Sequence, residues 1–580
     1  MGKLNVVLCW HMHQPDYRYL GAYLRPWTWL HAIKDYSDMA AHLENIPLAR
    51  AVVNFSPVLI EQLQDYPARI RACLDHAVPI RDEILDALAG QVPEGTEPHS
   101  PMSSVMPSLM RSLLRVNEAM MKSRFAAYAR LHEETKQALA EGRLLPRQQL
   151  DDLLVWYVLA WLGESVRGEA LPVALQEKAG GYTTADRHAL LQLVGDVCGG
   201  LLPRYRALAE AGRVELSVTP FAHPILPLLQ DMQCAHESMP HAPLPSAGYP
   251  GGTERCDWHL SEAVRVFRQA FGRTPAGCWP AEGGISEATL EQLLRHGFGW
   301  TASGARVLYN SLPEIVSGAH LHAWRLAAPG GEFVSPACFF RDDELSDRIG
   351  FEYSKWLAGD AVDDLVRRIE HSADSADTEE AVLSIIMDGE NAWEYFPHNA
   401  AEFLTVLYER LGSHPRIRLT TFSAVLPRLA PMQLSRLVAG SWVHGTFSTW
   451  VGDPAKNRAW DLLINAKSAV DHALAPELAA ATREGREPLP WVCAVLRQLA
   501  VCEASDWFWW LGEDNRLEDG PAFDLLYRQQ LAGLYQLIGT PPPVALDAPV
   551  NSTGNSSHNS PSGMLTDHPP AMAGAMRSST

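Results

Sequence analysis

Short apolar runs rich in β-branched residues alternate along this chain with stretches whose apolar positions recur every three or four residues. Residues 4–10 and 50–55 read as buried strands, and the second stops at Asn54-Phe55-Ser56-Pro57. From 58 to 212 the spacing is mostly helical, most clearly over 61–74, 108–139 and 187–211. That block is too long for one connection and reads as a helical insertion. Residues 212–220 return to alternation, with Val214, Leu216 and Val218 on one face and Glu215, Ser217 and Thr219 on the other. A polar face on a central strand is expected to look into a functional cavity. Further strands are expected near 276–280, 298–302, 333–340, 382–388 and 416–420, with helices at 258–271, 286–296, 357–371 and 399–412. Such repeated strand–helix units specify a parallel sheet or barrel. Past 425 the strand signal fades into helical stretches at 455–474, 489–504 and 521–537. The division expected is a barrel over 1–425 that contains the insertion, a C-terminal helical domain over 426–540, and a tail over 541–580. The tail is rich in Pro, Ser, Asn and Gly, too poor in apolar surface to order itself.

The strand ends carry the chemistry. In Ser384-Ile385-Ile386-Met387-Asp388-Gly389-Glu390-Asn391-Ala392-Trp393 an apolar run stops at two carboxylates, which extended backbone would turn to one side. Like charges so close are costly unless something positive, hydrogen-bonded or reactive lies between them. Trp10-His11-Met12-His13-Gln14-Pro15 ends the first strand with two histidines on one face, suited to a metal or to sugar hydroxyls. Glu215 precedes Pro220-Phe221-Ala222-His223-Pro224. In Trp279-Pro280-Ala281-Glu282-Gly283-Gly284 a glutamate stands at a strand-to-helix junction, where the helix dipole alone would favour it. Residues 440–454 hold Trp442, His444, Trp450 and Asp453 in an aromatic, polar connector.

Composition narrows the function. The net charge of −20 over 580 residues disfavours a nucleic-acid partner. No run is long enough to span a bilayer. The opening residues read as a core strand, not a signal peptide. Nine scattered cysteines without a C-x-x-C pair suit reduced thiols in a cytoplasm, not a disulfide framework or a cysteine-rich zinc site. Many of the eighteen tryptophans sit beside acidic, Asn or Gly residues, a pattern suited to sugar rings, although about half are expected in the core.

Taken together these five segments resemble glycoside hydrolase family 57 over residues 4–540. Its motifs match at His11-Met12-His13-Gln14-Pro15, Gly212-Arg213-Val214-Glu215, Trp279-Pro280-Ala281-Glu282, Asp388-Gly389-Glu390-Asn391 and Trp442 through Asp453. The resemblance implies an α/β fold, a distorted seven-stranded barrel with a helical insertion and a C-terminal helical domain. It implies retaining hydrolysis of α-glucans such as starch, glycogen or maltooligosaccharides, at α-1,4 or α-1,6 bonds, with no cofactor and no metal. Glu282 would be the nucleophile and Asp388 the general acid/base, the latter kept protonated by burial, Glu390 and an ionised Glu282. His11, His13, Gln14, Glu215, His223, Trp279, Glu390, Trp393, Trp442, His444, Trp450, Asp453, Asp506 and Trp507 would bind substrate. Stacking platforms are expected at Trp27, Trp29, Trp393 and Trp442 and among Trp507, Trp509 and Trp510, with 503–507 closing the cleft. The wording looks closest to the amylopullulanase and α-amylase branch, from which Ala281 departs. The same motifs serve α-glucan transglycosylases, 4-α-glucanotransferase or branching enzyme. The residues alone also leave open a metal-dependent α-mannosidase or polysaccharide deacetylase with His11, His13 and an aspartate as ligands, and a non-catalytic glucan-binding protein. Any homo-oligomer would be sought at the insertion.

Overall fold

The computed structural model describes residues 3–91, 102–375, 380–513 and 520–551. Seven parallel strands close into a barrel: β1 (Leu4–Met12), β2 (Ala51–Phe55), β3 (Val214–Val218), β4 (Gly277–Cys278), β5 (Trp300–Gly304), β6 (Ala337–Arg341) and β7 (Val382–Asp388). They neighbour one another in chain order, and β7 returns beside β1. The β1–β7 register is long, from Asn5 opposite Val382 to His11 opposite Asp388. The β6–β7 seam is a single pairing of Ser384 with Arg341, backed by Asp342 N–H donating to the Ser384 carbonyl at 2.8 Å. An eighth strand, β8 (Ile417–Thr420), lies along the first half of β1.

Period-two alternation sorts the side chains of β1. Leu4, Val6, Leu8, Trp10 and Met12 join the main core outside the barrel, whereas Val7 and Cys9 belong to a separate cluster inside it. That inner plug also contains Val52, Trp300, Phe339 and Ile386. The Trp300 ring occupies the space where a Cβ on Gly277 would stand, 1.9 Å from the nearest ring atom, so β4 admits only glycine there. One step above the plug the inward positions turn polar. His11 is level with Asn54 on β2 and Asp388 on β7, and Asn54 with Ser217 on β3. The polar face expected on β3 thus looks into the barrel, and the site begins at the C-terminal strand ends.

The helical insertion fills the connection from β2 to β3. It opens with α1 (Pro57–His76) and closes with α2 (Thr184–Glu210), whose start is fixed by a Thr183–Asp186 capping box. Helix α3 (Gly252–Phe271) begins six residues before the expected 258. The C-terminal region comprises α4 (Pro454–Glu484), α5 (Pro490–Cys502), α6 (Asp506–Trp509) and α7 (Gly520–Leu537). The first part of the expected tail is packed: Leu546 and Val550 are buried, and Arg458 donates to the Val550 carbonyl at 2.6 Å. Residues 552–580 lie outside the described residues. No described helix is long and apolar enough to cross a membrane.

One buried cluster ties the C-terminal helices to the barrel. Glu503, just past α5, accepts from Arg255 Nη2 at 2.7 Å and pairs with His259 Nε2 at 2.7 Å, both on α3, and accepts from the Tyr249 hydroxyl. Despite burial, Arg255 and His259 hold its carboxyl down at about 2. A depressed carboxyl stabilises the fold above its unfolded pKa near 4.5, and that stability is lost as pH falls towards 2. Arg255→Met should lower stability at pH 7 by about 3–5 kcal/mol, because it strands a buried carboxylate. Denaturant unfolding should show the deficit shrinking below pH 4.

Candidate active site

Three buried imidazoles crowd the barrel mouth. His11 and His13 end β1, and His223 follows β3. The His13 and His223 rings stack with centroids 3.8 Å apart, and His11 lies 5.1 Å from His223. Their partners fix the tautomers. Asn54 Oδ1 can only accept, so His11 donates from Nδ1 at 2.8 Å and its bare Nε2 accepts from His223 Nε2 at 3.0 Å. His223 Nδ1 then accepts from Ser505 Oγ at 2.8 Å. His13 donates from Nε2 to Asp506 at 3.0 Å and accepts from Ser56 Oγ at 2.8 Å. Burial, then the neighbouring rings, pushes His11 down to about 3 and His223 well below the usual imidazole range. Both stay neutral at physiological pH. His13, His223 and Asp506 could together hold a metal ion, since one ligand atom from each lies within 4.8 Å of the others.

Glu282 follows β4 in a left-handed conformation, φ 57° and ψ 24°. That conformation costs a non-glycine residue of order 1–3 kcal/mol and persists only where surroundings enforce it. Trp442 does so, donating its backbone N–H to the Glu282 carbonyl at 3.0 Å and its indole N–H to Oε2 at 2.9 Å. Gly283 follows at φ 59°, with a Trp279 ring atom 3.0 Å from where a Cβ would sit. The free oxygen, Oε1, lies 4.0 Å from His223 Nδ1. Ala222 and His223 share the left-handed region, so two strand-end loops carry strain into one site.

Burial, then the charges of Asp388 and Asp506, pushes the Glu282 carboxyl up to about 8 against the Trp442 donor. Burial raises Asp388 to about 6, opposed by the Asn391 side chain, which donates to Oδ2 at 2.9 Å, and by His13 and Arg341. The pair therefore carries one proton between roughly pH 6 and 8. Two expectations change here. Asp388 is lifted by burial, whereas Glu390 is itself raised by burial and then by Asp388. In the free protein Glu282, not Asp388, holds the proton longer.

The profile of glycosyl hydrolase family 57 matches residues 7–438. The chain belongs to glycosyl hydrolase family 57. No curated protein matches it in sequence. Solved structures share the fold. A family 57 branching enzyme from the archaeon Thermococcus kodakaraensis is 14% identical, with a TM-score of 0.55 over 93% of this chain and 90% of that one. A branching enzyme from Pyrococcus horikoshii is 16% identical, with a TM-score of 0.54 over 98% and 99%. The α-amylase AmyC from Thermotoga maritima is 14% identical, with a TM-score of 0.51 over 93% and 94%.

In this family 57 site Gln14 donates to Glu390 at 3.3 Å, and Asp506 reaches in from α6. The 503–507 segment closes over the histidines through Ser505 and Asp506, while Glu503 is spent on Arg255. The tryptophans answer differently from expectation. Trp29, Trp279, Trp393, Trp450 and Trp507 are fully buried core residues, and Trp509 nearly so. Trp27 and Trp510 line a small cleft beside Gln14 and Asp506. Trp442 is a half-buried clamp on Glu282. Tryptophans stand near acids because indole N–H groups bond carboxylates, as Trp29 does Asp82 and Trp300 does Glu215. Glu215, also held by Ser423, sits level with Val52, below the polar layer, and does not line the mouth as expected. Asp453 caps α4, accepting from Ala455 N–H at 2.7 Å, and His444 is exposed at φ 59°.

Sequence reading missed Asn54, Arg341, Asn391 and Ser505. Arg341 ends β6, donates to the Ile386 carbonyl at 2.8 Å and lies 5.3 Å from the Trp442 ring. The abrupt charged stop Phe340-Arg341-Asp342-Asp343 was its signal. Glu282→Gln should keep the fold and raise its stability. A raised carboxyl weakens the fold as pH climbs from about 4.5 to about 8, by roughly 2–5 kcal/mol in all. The glutamine variant should melt higher at pH 8 and match the native protein at pH 4.

Proposed function

We propose that the protein cleaves α-glucans with retention, Glu282 attacking the anomeric carbon and Asp388 serving as acid and then base. The observation that carries this is the pair of buried, electrostatically coupled carboxyls on opposite strand ends, sharing one proton near neutrality. A retaining site needs one ionised and one protonated carboxyl about 5–5.5 Å apart. Positive charge developing at the sugar favours an ionised Glu282, so substrate draws the shared proton onto Asp388. Asp388 then passes it to the departing glycosidic oxygen as Glu282 Oε1 bonds to C1. Trp442 steadies the other oxygen. Asp388, now a carboxylate, takes a proton from water, whose oxygen displaces Glu282 from C1. Neutral His11 and His223, their ring nitrogens taken by Asn54, Ser505 and each other, wall the sugar site without competing for that proton. The family's motif wording and the shared fold with branching enzymes and an α-amylase support an α-glucan substrate.

A second reading, transfer of the glucosyl group to a sugar hydroxyl, is favoured by how enclosed the centre is: Glu282 is only 8% exposed. In both readings the metal-capable trio of His13, His223 and Asp506 shapes the wall of the sugar site, its ring nitrogens already engaged by protein partners.

Asp388→Ala should cut turnover on maltooligosaccharides roughly 10²–10⁴-fold, and Glu282→Ala at least as much, with folding intact. Near-normal activity in either variant would remove it from the pair. The kcat/KM profile should be bell-shaped, with limbs near pH 6 and 8, and chelator should leave turnover unchanged. Short maltooligosaccharides as the end products would mark hydrolysis, and longer or branched ones transfer.

A further inference from the structure

Beyond the catalytic centre lies a cavity of about 320 Å³, bounded by the loop after β7, the segment that follows Trp29, and the helical insertion. Its walls include Trp161, Phe396, Met120 and Met121. Four buried polar atoms of its lining residues make no hydrogen bond: the donors Lys34 Nζ, Trp161 Nε1 and Arg167 Nε, and the acceptor Asn399 Oδ1. Lys34 is 5% exposed; its ammonium pairs with Asp35 at 3.3 Å without forming a hydrogen bond and lies 5.2 Å from the Trp161 ring centroid, so it has donors to spare. A buried polar group without a hydrogen bond costs about 1–3 kcal/mol, and several around one cavity point to a hydrogen-bonding ligand.

The charges define that ligand. Lys34 is balanced by Asp35, and Arg124 and Arg167 both pair with Glu164. Glu394, pushed up to about 7 by burial, is only half ionised near neutrality. The one positive charge left over is shared by Arg124 and Arg167, whose guanidinium groups are already engaged by Glu164 and by the Leu159, Ala160 and Leu162 carbonyls rather than open to an anion. A neutral ligand with hydroxyls for Lys34 and Asn399 and C–H faces for the aromatic and methionine walls fits the lining. The volume has room for about two sugar rings.

We propose that this cavity is a second saccharide site, holding glucosyl units away from the bond being cleaved. It rests on the α-glucan reading for the identity of the sugar. The cavity shares Trp393 with the catalytic loop, where the indole N–H donates to the Gly389 carbonyl at 2.9 Å. An occupant would therefore brace the segment that carries Asp388 and Glu390.

Maltose titrated calorimetrically into Glu282→Gln, which binds without turnover, should saturate at two molecules per chain. Met121→Trp, which fills the cavity from its wall, should reduce this to one in the same background. In the active background it should leave turnover of short maltooligosaccharides within about twofold. Lys34→Gln supplies a second variant and should weaken the same binding event at least tenfold. A single maltose in Glu282→Gln that Met121→Trp does not displace, or two that persist in both variants, overturns the proposal. Intact activity with no maltose sensitive to Met121→Trp sinks the cavity site alone. Absent activity with a single maltose lost in Met121→Trp keeps the cavity and sinks the enzymatic reading.

Discussion

Trp442 grips Glu282 twice, by backbone and by indole, and much of the molecule serves that grip. The glutamate is held in a conformation its side chain resists, at a strand end crowded by Trp279 and Ser303. The clamp comes from the connector beyond β8, so the position of Glu282 depends on how the C-terminal region docks. Docking depends in turn on the buried Glu503–Arg255–His259 cluster and on the capped start of α4. Strain at the site is thus balanced by burial far from it.

The same economy governs charge. Glu282, Asp388, Glu390 and Asp506 all sit in one nearly dry mouth, and ionising all of them together is prohibitive. The protein answers with shared protons and neutral imidazoles, and with indole and amide donors in place of bulk cations. Arg341, pinned by Asp343 and Asp347, is an arginine whose charge reaches Asp388. Catalytic readiness and reduced stability are two readings of one electrostatic fact.

Much of this was legible in the chain. Strand ends announced themselves because a buried parallel strand is a continuous apolar run, and a functional end must break it abruptly. That is how His11, Glu282 and Asp388 stood out. Glu215 obeyed the alternation that put it inside the barrel, but periodicity gives the face and not the height, so its depth below the site was invisible. The tryptophans misled for a physical reason: an indole beside an acid is as useful for holding a carboxylate as for stacking on a sugar. Asn54 and Ser505 were missed because short polar residues at strand ends and loops have no distinctive pattern.

The hydrogen bond from His13 to Asp506 joins residues 493 apart in the chain. A ribosome therefore finishes the barrel and both proposed catalytic carboxyls well before the residue that completes the histidine cluster exists. The nascent protein passes through a long interval with Glu282 and Asp388 made but the centre around them open and unbraced. Activity would arrive late and all at once, as the last helices emerge and dock.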